Sequence, residues 1–273
     1  MVGGQQVEYR CVDRTISKGG RYASSGSLSI CYGRDHGHGP GSAGRPRRRF
    51  GAVAAARPRH RLDFAANGAV VGVAHPIVVT FTAPAADRAA VERSIHVVSP
   101  AGVRGHFEWA DDNTVVRFVP NRYWPAHGHV SVGVQALTTG FDTGDALLGV
   151  ASISKHTFTV SRNGEVLRTM PASMGKPSRP TPIGNFTALE KQRSVVMDSR
   201  TIGIPLSSPE GYKITAQYAV RVTWSGVYVH SAPWSVDSQG YANVSHGYIN
   251  LSPDNAAWYF NEVNVGDPIQ VVA

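Results

Sequence analysis

Ser245-His246-Gly247-Tyr248-Ile249-Asn250-Leu251-Ser252 is the stretch around which this 273-residue chain is organised. Upstream of it stands Val229-His230-Ser231-Ala232-Pro233-Trp234-Ser235. Each segment places a histidine beside a serine. A lone His-x-x-x-Trp carries little information. Two such histidine segments, one ending in Gly-x-Ile-Asn-Leu-Ser, make a specific pattern.

Working outward, residues 153–273 read as one β-rich domain. Thr157-Phe158-Thr159-Val160 and Val166-Leu167-Arg168-Thr169-Met170 form a hairpin across Asn163-Gly164, a pair suited to the positive φ values of a tight turn. Tyr218 to Trp224 and Val227 to His230 are strands around Ser225-Gly226, and Val195-Val196-Met197-Asp198 is a strand end. Ser207 to Tyr212 is a turn. Ser252-Pro253 opens the one convincing helix, Asp254 to Val263, with serine as N-cap and proline at the first helical position. Pro268 to Val272 closes the sheet.

Residues 62–152 also read as short strands: Ile77–Phe81, Ser94–Val98, Gly105–Trp109, Thr114–Val119 and His129–Val134. The second pair of neighbours is a hairpin around Asp111-Asp112-Asn113, and Asp87 to Arg93 suits one short helix. Strands at this spacing suggest an immunoglobulin-like sandwich without the Cys…Trp…Cys pattern of antibody domains. Tyr123-Trp124-Pro125 is read as core and corner packing. The expected fold class is therefore mainly β, in two successive domains.

Residues 1–61 differ in kind. They hold 12 of the 27 basic residues and 3 of the 19 acidic ones, leaving a remainder with 15 and 16. The net charge of +8 thus belongs to this segment and gives no reason to assign a nucleic-acid partner to the folded part. Its Gly-, His- and Arg-rich runs lack an apolar period, so it is expected to be disordered. Two readings stay open: a misassigned start, or a basic tail that contacts an anionic polymer. Ala52 to Ala56 is too short and too far in to be the core of a secretory signal, and the arginines lack the apolar run of a twin-arginine signal. No apolar run has the length of a membrane helix, so no integral membrane segment is expected. Cys11 and Cys31, the only cysteines, lie here too, either as incidental thiols or as a bridge closing a loop.

The motif His230…Trp234…Ser245-His246-Gly247-x-Ile249-Asn250-Leu251-Ser252 resembles the signature of the L,D-transpeptidases, the YkuD-type cysteine enzymes of bacterial cell walls, and is similar above all to their mycobacterial members. Gly175…Thr181-Pro182-Ile183-Gly184-Asn185-Phe186 resembles another family segment, and the likeness spans roughly residues 64–273. The resemblance implies an immunoglobulin-like domain followed by a YkuD-type catalytic domain. It implies acyl transfer in peptidoglycan cross-linking. A thiolate attacks the carbonyl of the third residue of a tetrapeptide stem and expels the terminal D-alanine; the diamino acid of a second stem then takes the acyl group. Such chemistry needs a nucleophile, a base and oxyanion donors. By resemblance His230 is the base, and the Ser231 carbonyl orients its ring. His246 shapes the loop, and the amides around Gly247 and Tyr248, with the Tyr212 hydroxyl, form the oxyanion region. Tyr212, Ser225, Gly226 and Asn250 align with substrate contacts, and Met197 and Trp234 with pocket walls or plain packing. Neither cofactor nor metal is implied. The partners implied are peptidoglycan stem peptides, with carbapenem-type β-lactams if a thiol is restored, and the location implied is the cell envelope.

The departure is at Tyr248, where the family carries its cysteine nucleophile. A phenol ionises near pH 10 and a thiol near 8.5, so far less anion is present at neutral pH. Its oxygen also sits several ångströms beyond the place of a sulfur. Cys11 and Cys31 are no substitutes. Three readings follow: a transpeptidase that has lost catalysis, an enzyme that uses Tyr248, or a non-catalytic peptidoglycan-binding module.

Overall fold

The computed structural model describes residues 60–62, 69–134 and 137–273. The expectations for residues 1–59, including both cysteines and most of the basic segment, lie outside the described residues. The described residues fall within one compact unit.

The first part is a sandwich of two four-stranded sheets. Its elements are β1 (His60–Leu62), β2 (Val70–Val71), β3 (Ile77–Phe81), α1 (Arg88–Ser94), β4 (Ile95–Val98), β5 (Gly105–Trp109), β6 (Val115–Pro120), β7 (His129–Val134) and β8 (Leu137–Thr143). One sheet has the order β1-β3-β6-β5 and the other β2-β8-β7-β4. Strict alternation drives the two together. Ile77, Val79 and Phe81 of β3 point inward, as do Val130, Val132 and Val134 of β7. They meet Val116, Phe118, Phe141 and Trp124 in one core. Trp124 is buried, and its indole N–H donates to the His75 carbonyl at 2.8 Å, so the polar edge of the ring is satisfied inside. Tyr123 beside it is exposed. Asp87 caps α1 by accepting from the Ala90 amide at 2.9 Å.

The second part holds β9 (Leu147–Ser152), β10 (Thr157–Arg162), β11 (Glu165–Pro171), β12 (Gly184–Thr187), β13 (Glu190–Asp198), β14 (Lys213–Arg221), β15 (Tyr228–Ser231), β16 (Ile249–Leu251), α2 (Pro253–Glu262) and β17 (Pro268–Val272). The sheets run β11-β10-β9-β17-β12 and β13-β14-β15-β16. β9 lies between β10 and β17, antiparallel to one and parallel to the other. Leu147–Ser152 is thus the first strand of this sheet. Asn163 and Gly164 take φ values of 52° and 89°, as their hairpin turn requires. Ser252 caps α2, and Pro253 fills its first turn. Leu147, Phe158, Val160, Val229, Ile249, Leu251, Tyr259 and Ile269 belong to the core between these sheets and α2.

The junction between the two parts is tight. Gly72 N–H donates to Val265 O and Ala74 N–H to Gly266 O, each at 2.9 Å. A Cβ on Gly72 would lie 2.0 Å from the Asp267 amide nitrogen, closer than any real contact, so only glycine admits this approach. Among the described residues no helix is long and apolar enough to cross a membrane.

Candidate active site

Strand β15 is buried along its whole length, as a strand covered on both faces must be. It carries His230 into the interior. Parallel pairing with β16 sets His230 beside Asn250. His230 Nδ1 lies 2.8 Å from the Ser231 carbonyl, which fixes Nδ1 as the protonated nitrogen and leaves Nε2 with the lone pair. Nε2 is buried and, among the described residues, has no partner at good hydrogen-bond geometry, although the adjacent Asn250 side chain also favours the charged imidazole. Burial holds the imidazole down at about 4, against the upward pull of the Ser231 carbonyl, so it is neutral at pH 7.

The loop before β16 supplies the facing wall. Gly247 adopts φ 104°, a conformation that side chains avoid, while its nearest neighbours leave room for a Cβ; conformation rather than space demands glycine. Ser245 Oγ donates to the Tyr248 carbonyl at 2.8 Å and accepts from Gly247 N–H at 3.2 Å. Thr181 Oγ1 donates to the same carbonyl at 3.2 Å and accepts from Gly175 N–H at 2.8 Å. Backbone bonds Ser245 N→Met174 O and Lys176 N→Ser245 O, both at 3.0 Å, lay residues 174–181 along the loop as its support.

The Tyr248 ring stands edge-on to His230, centroids 5.3 Å apart and planes 83° apart. Its hydroxyl pairs with that of Tyr212 at 2.9 Å and not with His230 Nε2. Burial, reinforced by the Tyr212 hydroxyl, pushes the Tyr248 phenol well above the ordinary tyrosine range. Burial also raises Tyr212, against the downward pull of that hydrogen bond. His246 is half-buried, its ring 5.1 Å from that of Tyr212, and burial together with the charges of Lys176 and Arg179 keeps it below the usual histidine value.

These groups surround a cavity of about 270 Å³ lined by, among others, Tyr212, His230, Trp234, His246, Tyr248 and Asn250. Trp234, on the 3-10 helix Pro233–Ser238, is 55% exposed and its ring lies 5.9 Å from that of His230. Asn250 is buried. Its side-chain amide donates to Ser235 Oγ at 3.1 Å, and its Oδ1 has no partner at good hydrogen-bond geometry among the described residues. Met197 is buried and packs behind the rings of Tyr212, Tyr228 and Tyr248 instead of lining the cavity. Ser225 and Gly226 lie in the β14–β15 turn, outside the lining, where Gly226 has φ 103° and the Ser225 hydroxyl meets that of Thr223 at 2.9 Å. No cluster suited to a metal occurs among the described residues.

Thr181, Ser235 and Ser245 are site residues that the sequence reading did not assign. All three lie in quoted segments. Which way a hydroxyl points, though, depends on two strands and a loop meeting, and no spacing reveals that.

Fold and pocket together define a two-domain, mainly β protein with a neutral, buried histidine in its second domain. Residues 148–271 match the L,D-transpeptidase catalytic domain, and residues 36–140 match a bacterial Ig domain. The chain is 78% identical over 207 residues to L,D-transpeptidase 1 of Mycobacterium tuberculosis, covering 76% of this chain and 82% of that protein. It is 50% identical to the same organism's probable L,D-transpeptidase 3 over 75% of this chain and 83% of that one. The structure of the L,D-transpeptidase LdtMt1 in complex with imipenem superposes with a TM-score of 0.77 at 74% identity, covering 80% of this chain and all (100%) of that one. The chain belongs to the L,D-transpeptidase family.

Proposed function

We propose that this chain keeps the binding frame of a peptidoglycan cross-linking L,D-transpeptidase and that acyl transfer is impaired, because Tyr248 stands at the family's nucleophile position. One observation carries the reading: the Tyr248 hydroxyl is bonded to Tyr212 and not to His230 Nε2, the nitrogen a base would use, although the two rings stand edge to face. In the family reaction the base takes the proton of the nucleophile, the nucleophile bonds to the stem carbonyl, and D-alanine leaves. Here the phenol is neutral and its proton is not placed to pass to the imidazole. The proposed roles are therefore His230 as a base without a nucleophile, Ser231 as its orienter, and His246 with the loop amides and Tyr212 as the oxyanion side. Asn250 and Trp234 bound the peptide's cavity. Ser225 and Gly226 would meet only a ligand that extends beyond it. The working place that follows from the substrate is the cell envelope.

The test uses imipenem, since one relative is known in complex with it. The unaltered protein and Tyr248→Cys are incubated with the β-lactam and their intact masses measured. The expected result is no adduct on the parent and a covalent adduct on the variant. An adduct on the parent sinks the reading, and no adduct on either means that the frame itself is not competent. A second reading, a peptidoglycan-binding module, is favoured by the open cavity and the exposed face of Trp234. Calorimetric titration with a tetrapeptide stem should then give heat with the parent, and Trp234→Ala should weaken it.

A further inference from the structure

The connection between β13 and β14, residues 199–212, delivers Tyr212 to the mouth of the cavity. It is largely bonded to itself. Ser199 N–H donates to Tyr212 O at 2.9 Å, Tyr212 N–H to Ser199 Oγ at 3.0 Å, and Ser199 Oγ to Ile204 O at 2.9 Å. Gly211 fits so closely against the chain that an added Cβ would lie 2.4 Å from Pro205 O. Arg200 and Thr201 bond back to Asp198 at the end of β13; beyond that root, among the described residues, two polar side-chain contacts join this connection to the elements of the pocket. One is the Tyr212–Tyr248 hydroxyl pair. The other is the ion pair of Lys176 Nζ with Glu210 Oε1. Lys176 belongs to the 174–181 segment that seats the 245–248 loop, its own amide donating to Ser245 O at 3.0 Å. The ion pair therefore ties the element carrying Tyr212 to the support of the element carrying residue 248.

We propose that Lys176 and Glu210 are positioning residues, a latch that holds Tyr212 over the residue at position 248. Neither touches the reacting atoms; they act through Tyr212. The latch matters most when position 248 carries no hydroxyl, because the tyrosine pair is then gone and the ion pair remains as the polar tether. His246 lies next to Tyr212 and feels Lys176, Glu210 and the nearby Arg179, so it is the group whose surroundings change when the latch opens. The pair is partly exposed, with side-chain exposures of 25% and 43%. The effect expected of such a pair is modest, about twofold to fivefold in the population of the closed arrangement.

The inference uses the reading of the pocket as an acyl-transfer frame, and the experiment has two arms so that each can fail alone. In the first, hydrogen exchange of residues 199–212 is measured on the otherwise unaltered protein. Glu210→Gln and Lys176→Met should each speed exchange there about twofold to fivefold, and the charge-swapped Lys176→Glu/Glu210→Lys protein should restore it. Unchanged exchange in the single variants, or no restoration in the swap, overturns the latch whatever the pocket does. In the second arm the same changes are made in Tyr248→Cys and the rate of imipenem acylation is followed. A similar fold loss in the single variants with recovery in the swap supports the positioning role; equal rates throughout overturn it. If Tyr248→Cys forms no adduct at all, the reading of the pocket fails, and the first arm alone decides the latch.

Discussion

At position 248 two effects compete, the gain of a tyrosine–tyrosine hydrogen bond and the loss of contact between base and nucleophile. The hydrogen bond is of the kind that contributes about 0.5–1.5 kcal/mol net. It also fixes the phenol away from His230 Nε2, to which the hydroxyl is not bonded. Tyr248→Phe separates the two effects. It keeps the ring against His230 and removes only the hydroxyl, so stability should fall by about 0.5–1.5 kcal/mol in urea unfolding. Tyr212 should titrate still higher, since the bond to Tyr248 is what pulls it down against burial. NMR titration of labelled tyrosine reads this directly, and a Tyr212 midpoint that stays or falls would contradict the pairing. The sequence displayed His230, His246, Tyr212 and Tyr248 as candidates. It could not display that the two tyrosines meet, because 36 residues of strand and loop separate them.

Elements were legible where one local rule governed them. Alternation in β3 and β7, the Asn163-Gly164 turn and the Ser252-Pro253 cap each follow from neighbours in sequence. Less legible were pairings that only the tertiary fold decides. The parallel contacts of β15 with β16 and of β9 with β17 join distant segments, and the sequence reading named no strand at β9, because a short apolar run carries no mark of its partner. Val195–Asp198, read as a strand end, is the end of β13, whose first residues from Glu190 are polar and pair along β14 without an apolar pattern. The 174–181 segment is the element whose role was least visible, and its key side chain is Thr181. Thr181→Val keeps the shape but removes the acceptor for Gly175 N–H and one donor to the Tyr248 carbonyl. Because the site is buried, the expected loss is about 1–3 kcal/mol. Ser178→Ala, on the exposed side of the same segment, should change stability by less than about 0.5 kcal/mol. Equal denaturation midpoints for the two variants would show that the support does not depend on Thr181.

At the scale of the whole molecule, three buried ionisable groups set opposing responses to acid. Burial holds both His75 and His230 at about 4. An unfolded histidine titrates near 6.5, so the unfolded chain binds more protons over roughly pH 4–6.5, and stability falls as pH falls through that range. For fully buried His230 the span corresponds to about 3 kcal/mol. His75, whose ring Nδ1 is buried without a partner but whose residue is only half-buried, contributes less. Asp267 acts the other way. Burial lifts its carboxyl to about 7, with the Asn264 amide opposing from 2.7 Å. An unfolded aspartate ionises near 3.9, so the folded protein binds the extra proton between roughly pH 4 and 7, and this contribution is lost as pH rises through about 7. Histidines and carboxyl therefore offset one another across much the same window. Asp267 packs at the junction, its amide nitrogen beneath Gly72 and its side chain accepting from Asn264. Asp267→Asn keeps an oxygen for that bond and removes the titration. The variant should then lose more thermal stability than the parent on acidification from about pH 7 to 4.5, with the histidines no longer opposed. Each kcal/mol of difference corresponds to about 2–4 °C in midpoint for a protein of this size. Parallel melting curves for parent and variant across that range would show that Asp267 is ionised in the fold at all of these pH values.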